Sequence, residues 1–352
     1  MDCVYRGDGI SGTSHQCFLK EECKSEESAS CVEKLLLEDP DFLNKWKDPL
    51  VVLDRNRNPT VSVRNLLAGG PAFLVGGGPS TKSIPLELLN SRGIFSLGVN
   101  NSAAHPRFRA SAFVCSDPPL KFSNSIWFDP HVMKFVPTPK MTGNREKLRE
   151  KRNGVFFKSA KKVSDCPNIW GFKRDSWLWP DARFFLQDGA PWGNHDIGVA
   201  KTKETKTVCT LLLGLRLLHY LGAKRIFLVG VDFLMTPGQV YSFSQTKSDG
   251  GCGSNNNQFS VVNEWLCRMG NNGVFKKFGL EVYNCYEMSG LRAFPYLPFE
   301  TAIEVATNSV EQIPDLSGWY EKSSCPKCKS WHIQWGDEKT CLDCGEKFQA
   351  ED

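Results

Sequence analysis

Four cysteines near the C-terminus carry the most specific chemistry in this chain. Cys325 and Cys328 are two residues apart, Cys341 and Cys344 are two residues apart, and twelve residues separate the pairs. Two such knuckles present four thiolates at the spacing used for tetrahedral zinc. Their local sequences, Cys-Pro-Lys-Cys and Cys-Leu-Asp-Cys-Gly, resemble zinc ribbon turns. Between them Trp331, Ile333 and Trp335 alternate with Ser330, His332 and Gln334, a strand period, and Gly336-Asp337 predicts the turn back. A segment of about 30 residues buries too little surface to fold alone, so a bound zinc would supply the folding free energy. A redox dithiol pair is the alternative.

A second candidate is Gly76-Gly77-Gly78-Pro79-Ser80, which follows the short apolar run Pro71–Val75. A glycine loop between a strand and a helix lets backbone N–H groups approach a phosphate, and Ser80 could add a hydrogen bond. The same glycines could equally make a tight turn. Two carboxylates fall where strands are expected to end. Asp117 follows a strand over 111–115, and Asp232 follows one over 225–229. Each could be a base, a ribose ligand, a metal ligand or a loop cap. His195, in Trp192-Gly193-Asn194-His195-Asp196, is the candidate general base, with Asp196 to orient it. An exposed surface histidine is the plainer alternative. Tyr241 is a candidate substrate contact or a packing aromatic.

These residues need a scaffold. Strands are expected over 71–75, 94–99, 111–115, 225–229 and 280–284, with two more weighed in the insert over 132–136 and 155–158, and helices over 84–89 (with Ser83 as N-cap), 207–221, 259–278 and 299–306. Val208, Leu211, Leu212, Leu215, Leu218 and Leu221 recur at helical spacing, with Gly222 as the stop. Alternating strands and helices predict an α/β fold, a mostly parallel sheet with helices on both faces, plus a small zinc ribbon. The expected organisation is an N-terminal arm (1–68), a core domain (69–307) with an elaborated insert (117–200), a linker (308–324) and the ribbon (325–348). A short helix is expected over 35–46.

Composition narrows the class. The chain has 352 residues, 41% hydrophobic and 23% charged, which suits one globular core with appendages. No apolar run approaches the roughly 18 residues of a membrane span, and the N-terminus lacks a signal-peptide core. Of 14 cysteines, Cys3, Cys17, Cys23 and Cys31 have no compact pair spacing. A reducing, cytoplasmic setting is expected (the host cytoplasm for a phage-encoded chain), with no membrane partner. The net charge of +4 hides a basic stretch: residues 140–174 hold eleven Lys/Arg against three Asp/Glu. That stretch, with Phe156, Phe157, Trp170 and Phe172, could bind DNA or another polyanion; a solvated helix over 145–152 is the plainer alternative. Residues 321–352 hold five Lys against seven Asp/Glu, so the ribbon's charge does not itself call for nucleic acid.

The stretch from Phe73 to Ser80 resembles the G-x-G-P-S loop of the bacterial lipooligosaccharide sialyltransferases. It is similar also to the motility-accessory-factor proteins of flagellin glycosylation and to the archaeal-type hydroxymethylpterin diphosphokinases. Gly98-Val99-Asn100-Asn101 resembles the second-strand asparagine of these families. Leu221-Gly222-Ala223-Lys224-Arg225-Ile226-Phe227-Leu228-Val229-Gly230-Val231-Asp232-Phe233 is similar to their later strand block, followed here by Tyr241-Ser242-Phe243. More closely, Ser116-Asp117-Pro118-Pro119, Ile126-Trp127-Phe128-Asp129-Pro130, Asn168-Ile169-Trp170-Gly171, Gly253-Ser254-Asn255-Asn256-Asn257 and the run from Ala293 to Glu300 resemble a group met in phage and bacterial genomes.

The resemblance covers roughly residues 70–305 and implies a Rossmann-like fold, which makes 69–307 the nucleotide-binding catalytic domain. It places the nucleotide against Gly76, Gly77, Gly78, Pro79, Ser80, Asn100, Asn101, Ser116 and Tyr241. Two departures stand out. The sialyltransferases carry a base histidine where this chain has Asn255-Asn256-Asn257-Gln258, and an asparagine where it has Gly77. The expected function is therefore glycosyl transfer from a nucleotide-activated sugar, with His195, Asp117 and Asp232 as catalytic candidates and a modified base in phage DNA as acceptor. Two alternatives stay open. One is a diphosphokinase-type transfer with Mg²⁺, and the other a non-enzymatic nucleic-acid or protein-binding module.

Overall fold

The computed structural model describes residues 52–53, 63–117, 122, 124–137, 147–152, 155–163, 166–172, 183–186, 209–238, 241–242, 252–308, 325–328, 333–334, 339–341 and 344–348. The expected helix over 35–46, His195, Trp331 and Trp335 lie outside them. The main sheet has eight strands: β1 (Val52–Leu53), β2 (Pro71–Val75), β3 (Ser96–Val99), β4 (Ala112–Val114), β5 (Met133–Pro137), β8 (Ile169–Phe172), β9 (Arg225–Val229) and β10 (Glu281–Asn284). β6 (Lys147–Arg152) and β7 (Val155–Lys162) form a separate antiparallel hairpin. The strand order is β1-β8-β5-β4-β3-β2-β9-β10, and every pairing in it is parallel except that of β1 with β8.

Both faces of this sheet are covered, which is why its central strands β2 and β9 read as nearly unbroken apolar runs. Successive side chains point to opposite faces. Ala72 and Leu74 of β2 join one core with Ile226 and Leu228 of β9 and with the helix Thr210–Tyr220. Phe73 and Val75 join the other, with Phe227, Val229, Leu86, Leu89 and Phe299 of the helix Phe299–Thr307. Helix Thr210–Tyr220 can lie close on β2 because Gly214 has no side chain: a Cβ there would stand 2.6 Å from Leu74 Cδ1. Gly222, at φ +88°, ends the helix as its type and place predict.

Several elements differ from sequence expectation. Residues 84–89 form no α-helix. Two short 3-10 turns, Pro79–Lys82 and Leu86–Asn90, stand there instead, and Ser83 caps nothing; its hydroxyl donates to Ser80 O (2.9 Å). The expected helix over 259–278 begins earlier, as Cys252–Asn271, and breaks at Gly273 (φ +67°) before the single turn Val274–Lys277. The residues weighed as a solvated helix over 145–152 instead supply strand β6. The insert also extends the main sheet, through β5 and β8.

Buried charge is handled locally. Lys134 on β5 is fully buried, and its ammonium donates to the carbonyls of Asp129 (2.5 Å), Val132 (2.9 Å) and Pro167 (2.8 Å). Burial, only partly offset by the nearby Asp129 carboxylate, holds its pKa at about 8. His219 packs 4.8 Å from the Phe185 ring and 5.6 Å from Phe278. Burial, reinforced by Lys224, Arg216 and Arg64, depresses its pKa from 6.5 to about 4. The unfolded chain therefore binds more protons than the fold between those two values. Stability contributed by neutral His219 is fully present above pH 6.5 and is lost as the pH falls toward 4. His219→Phe keeps the aromatic contact and removes this titration. Relative to wild type it is expected to gain about 2 kcal/mol on going from pH 8 to pH 4.5, measured by urea denaturation at both values.

Candidate functional site

The chain leaves β2 toward β3, β4, β5 and β8 on one side, then returns to lay β9 on the other side of β2. This reversal makes the crevice between the carboxyl ends of β2 and β9 a topological switch point, where open α/β sheets place ligands. The two strand ends stay in backbone contact beyond the ladder. Gly76 N donates to Val229 O (2.7 Å), and Gly78 N donates to Gly230 O (2.8 Å). Side chains are excluded here: a Cβ on Gly76 would lie 2.5 Å from Gly230 O, and one on Gly78 would strike the Asp232 carboxylate. Gly230 itself sits at φ +64°, in the left-handed region that favours glycine.

Asp232 is buried, and both its oxygens are engaged. Oδ2 accepts from Ser80 N (2.9 Å) and Oδ1 from Ser80 Oγ (2.5 Å). Burial raises its pKa above the usual carboxylate range, and the two bonds from Ser80 oppose that rise. The carboxylate thus braces the glycine loop against β9. Arg107 holds the next stretch, donating to Glu87 Oε1 (2.7 Å) and Oε2 (2.8 Å) and to the carbonyls of Thr81 (3.3 Å) and Ile84 (2.8 Å).

The other strand ends bring their own groups. After β3, Asn100 adopts φ +56°, and the turn is pinned by Ser102 Oγ, which donates to Val75 O (2.5 Å). The Asn100 Oδ1 atom is buried and, among the described residues, has no hydrogen-bond partner. After β4, Ser116 Oγ lies 3.1 Å from Thr210 Oγ1 at the start of helix Thr210–Tyr220, and the half-buried Asp117 follows. After β9, Phe233 at φ +52° stacks on Phe259 (4.7 Å, 21°). Ser289 Oγ donates to Val231 O (2.7 Å), and Gly290 N to Asp232 O (2.7 Å), so the loop after β10 supports this turn. Tyr241 and Ser242 then cross the glycine loop, where Ser242 N donates to Gly77 O (3.1 Å).

Of the residues expected at a nucleotide site, Gly76 and Gly78 are bonded to the end of β9, Ser80 is bonded to Asp232, and Gly77 accepts from Ser242 N, with Pro79 between Gly78 and Ser80. Asn100, Asn101, Ser116 and Asp117 sit at the neighbouring strand ends, and Tyr241 precedes the residue that touches Gly77. Sequence reasoning missed Thr210, and it read Gly230, Ser242 and Asn256 within motifs without giving them a role at the site. Asn256 Oδ1 accepts from Met235 N (2.8 Å) and its Nδ2 donates to Met235 O (2.9 Å). The asparagine run therefore clamps the loop after β9 to the helix Cys252–Asn271.

The four C-terminal cysteines converge as their spacing predicts. Their sulfurs all lie within 4.8 Å of one another, with Cys325 Sγ and Cys344 Sγ 3.5 Å apart and Cys328 Sγ and Cys341 Sγ 3.5 Å apart. Four sulfurs about 2.3 Å from a tetrahedral ion would stand about 3.8 Å from one another. The cluster could hold a metal, framed by the antiparallel strands β11 (Ile333–Gln334), β12 (Lys339–Cys341) and β13 (Lys347–Phe348). No helix among the described residues is long and apolar enough to cross a membrane.

No protein-family model matches the chain, and no curated protein matches it. Solved structures of similar shape include the sialyltransferase CstII from Campylobacter jejuni in complex with the substrate analogue cytidine-5'-monophosphate, at 15% identity and TM-score 0.35, covering 65% of this chain and 84% of that one. The same enzyme in complex with CMP-3FNeuAc gives 15% identity and TM-score 0.35 over 65% of this chain and 86% of that one. A complex of CST-II with trisaccharide acceptor and CMP gives 16% identity and TM-score 0.33 over 64% and 85%. At this level of likeness nothing about chemistry carries across.

The brace is directly testable. Asp232→Asn replaces one of two acceptors with a donor facing a donor, and is expected to cost about 1–3 kcal/mol. Gly78→Ala, which pushes a methyl onto the same carboxylate, should lower the melting temperature as well. Thermal unfolding of both variants checks this; unchanged melting in both would mean the loop is not held by Asp232.

Proposed function

We propose that this chain is a glycosyltransferase-like enzyme that binds a nucleotide-activated sugar at the switch point between β2 and β9. The observation that carries this reading is the buried Asn100 Oδ1, which lies at the carboxyl edge of the sheet without a partner among the described residues. A buried acceptor left unpaired costs stability, and a ligand N–H or O–H would repay it. The helix Thr210–Tyr220, eleven residues long, starts at the same edge and offers the positive end of its dipole to a phosphate. The single turn Pro79–Lys82 is too short for that role, and Ser80 is already engaged by Asp232.

In the transfer itself the sugar–phosphate C–O bond breaks and an acceptor oxygen takes the anomeric carbon. A base must remove the acceptor proton, and the departing phosphate must be stabilised. Asp117 and His195 are the groups proposed for the base. Asp232 is proposed as a positioning residue, because Ser80 holds both its oxygens.

For the acceptor, the β6–β7 hairpin favours a polyanion such as DNA. Its two strands hold seven Lys/Arg against Glu150 alone. The register sets Lys147 opposite Lys162 and Arg149 opposite Lys158. A hairpin so rich in one sign of charge favours an anionic partner. We propose zinc for the four cysteines, as a structural ion.

Three measurements test the reading. A thermal-shift screen of UDP-, GDP-, CMP- and ADP-sugars against ATP and GTP is expected to show stabilisation by a nucleotide sugar; no shift with any of them would sink the enzyme reading. Metal analysis is expected to find about one zinc per chain, and chelation to melt the ribbon. DNA binding should weaken with rising salt, and replacing Lys147, Arg149, Lys158 and Lys162 by Ala should flatten that salt dependence.

A further inference from the structure

Among the donors of the glycine loop, nearly all are committed inside the protein. Gly76 N, Gly78 N and Thr81 N donate to backbone carbonyls (2.7, 2.8 and 3.2 Å), Ser80 N and Oγ donate to Asp232, and Pro79 has no N–H. The Gly77 N–H is the exception: among the described residues it has no acceptor. Gly77 also carries no side chain to cover that N–H. Its carbonyl anchors Ser242 N, which fixes Ser242 beside it. The Ser242 hydroxyl is buried and, among the described residues, has no partner.

A buried hydroxyl without a partner is costly, and a serine can satisfy itself by rotating toward any nearby acceptor. This one remains unpaired beside the only uncommitted N–H of the loop. We propose that Ser242 Oγ, together with Gly77 N–H, forms a two-donor seat for one phosphate oxygen of the bound nucleotide, so that Ser242 determines specificity for nucleotide over nucleoside. The inference rests on the nucleotide-site reading above and adds a residue to it. Tyr241 and Ser242 act as a strap: the backbone bond to Gly77 sets the register, and the hydroxyl reads the ligand. A hydrogen bond to a charged phosphate oxygen is among the stronger kinds, so its loss should be visible in affinity.

The test compares wild type, Ser242→Ala and Ser242→Thr in the full chain. Isothermal titration is carried out with CMP, UMP, AMP and GMP and with the four matching nucleosides. For whichever nucleotide binds, Ser242→Ala should weaken affinity about 10-fold while leaving the nucleoside unchanged, and Ser242→Thr should restore it. The melting temperature of the unliganded protein should not fall in Ser242→Ala, because no internal bond is lost. Equal nucleotide affinity in wild type and Ser242→Ala overturns the proposal while leaving the nucleotide site standing. A clear drop in unliganded melting temperature overturns it too, since the hydroxyl would then have an internal role. A wild type that binds none of the nucleotides overturns the nucleotide reading and this contact with it.

Discussion

The carboxyl edge of this sheet is organised by one buried carboxylate. Asp232 leaves β9 and accepts both the N–H and the hydroxyl of Ser80, which belongs to the loop after β2. Burying a carboxylate is expensive unless its lone pairs are filled, and Ser80 fills one on each oxygen. The bond draws two loops together at the point where the strand order reverses. From that closeness the glycines follow. Gly76 and Gly78 must lack side chains because Gly230 O and the carboxylate occupy the space a Cβ would need. The loop after β10 then closes from the far side, through Ser289 and Gly290.

That arrangement shifts the expected location of the anion. A phosphate resting on Ser80 would compete with a carboxylate already bonded there. The favourable potential lies instead toward β4, where helix Thr210–Tyr220 begins beside Ser116, and over Gly77, whose N–H is uncommitted. The same geometry separates Asp232 from proton transfer. Burial raises its pKa, yet both oxygens are occupied by donors it cannot leave without opening the loop. For the proposed transfer, Asp232 is therefore a poorer choice of base than a residue outside this brace.

The sheet was legible because strands buried on both faces leave continuous apolar runs, and 71–75 and 225–229 are such runs. The glycine loop was legible because its glycines follow a strand end directly. The long-range links were not. Nothing local in Ser80 announces Asp232, 152 positions away, and nothing in Tyr241-Ser242 announces Gly77. The run from Cys252 to Asn257 lacks an apolar period, so the start of its helix was hidden; Asn256 is held there by Met235, not by helix propensity. Residues 147–152 favour a helix by composition, with Leu, Arg, Glu and Lys. Their neighbour β7, with Val155, Phe156 and Phe157, favours a strand, and pairing with it decides the outcome.

Most buried polar groups among the described residues are paired; three side-chain atoms, Asn100 Oδ1, Trp127 Nε1 and Ser242 Oγ, are not. Lys134 is fully buried yet gives its ammonium protons to three carbonyls, and Asp232 has a donor on each oxygen. Such groups complete the architecture and need nothing from outside. Asn100 Oδ1 and Ser242 Oγ are buried at the same sheet edge and lack partners among the described residues. A fold able to satisfy a buried lysine with three carbonyls has the means to satisfy a serine hydroxyl. Trp127 Nε1 also lacks a partner among the described residues but lies within the apolar core, whereas Asn100 Oδ1 and Ser242 Oγ share one sheet edge near the switch point, and that clustering is what supports the proposed polar-ligand site.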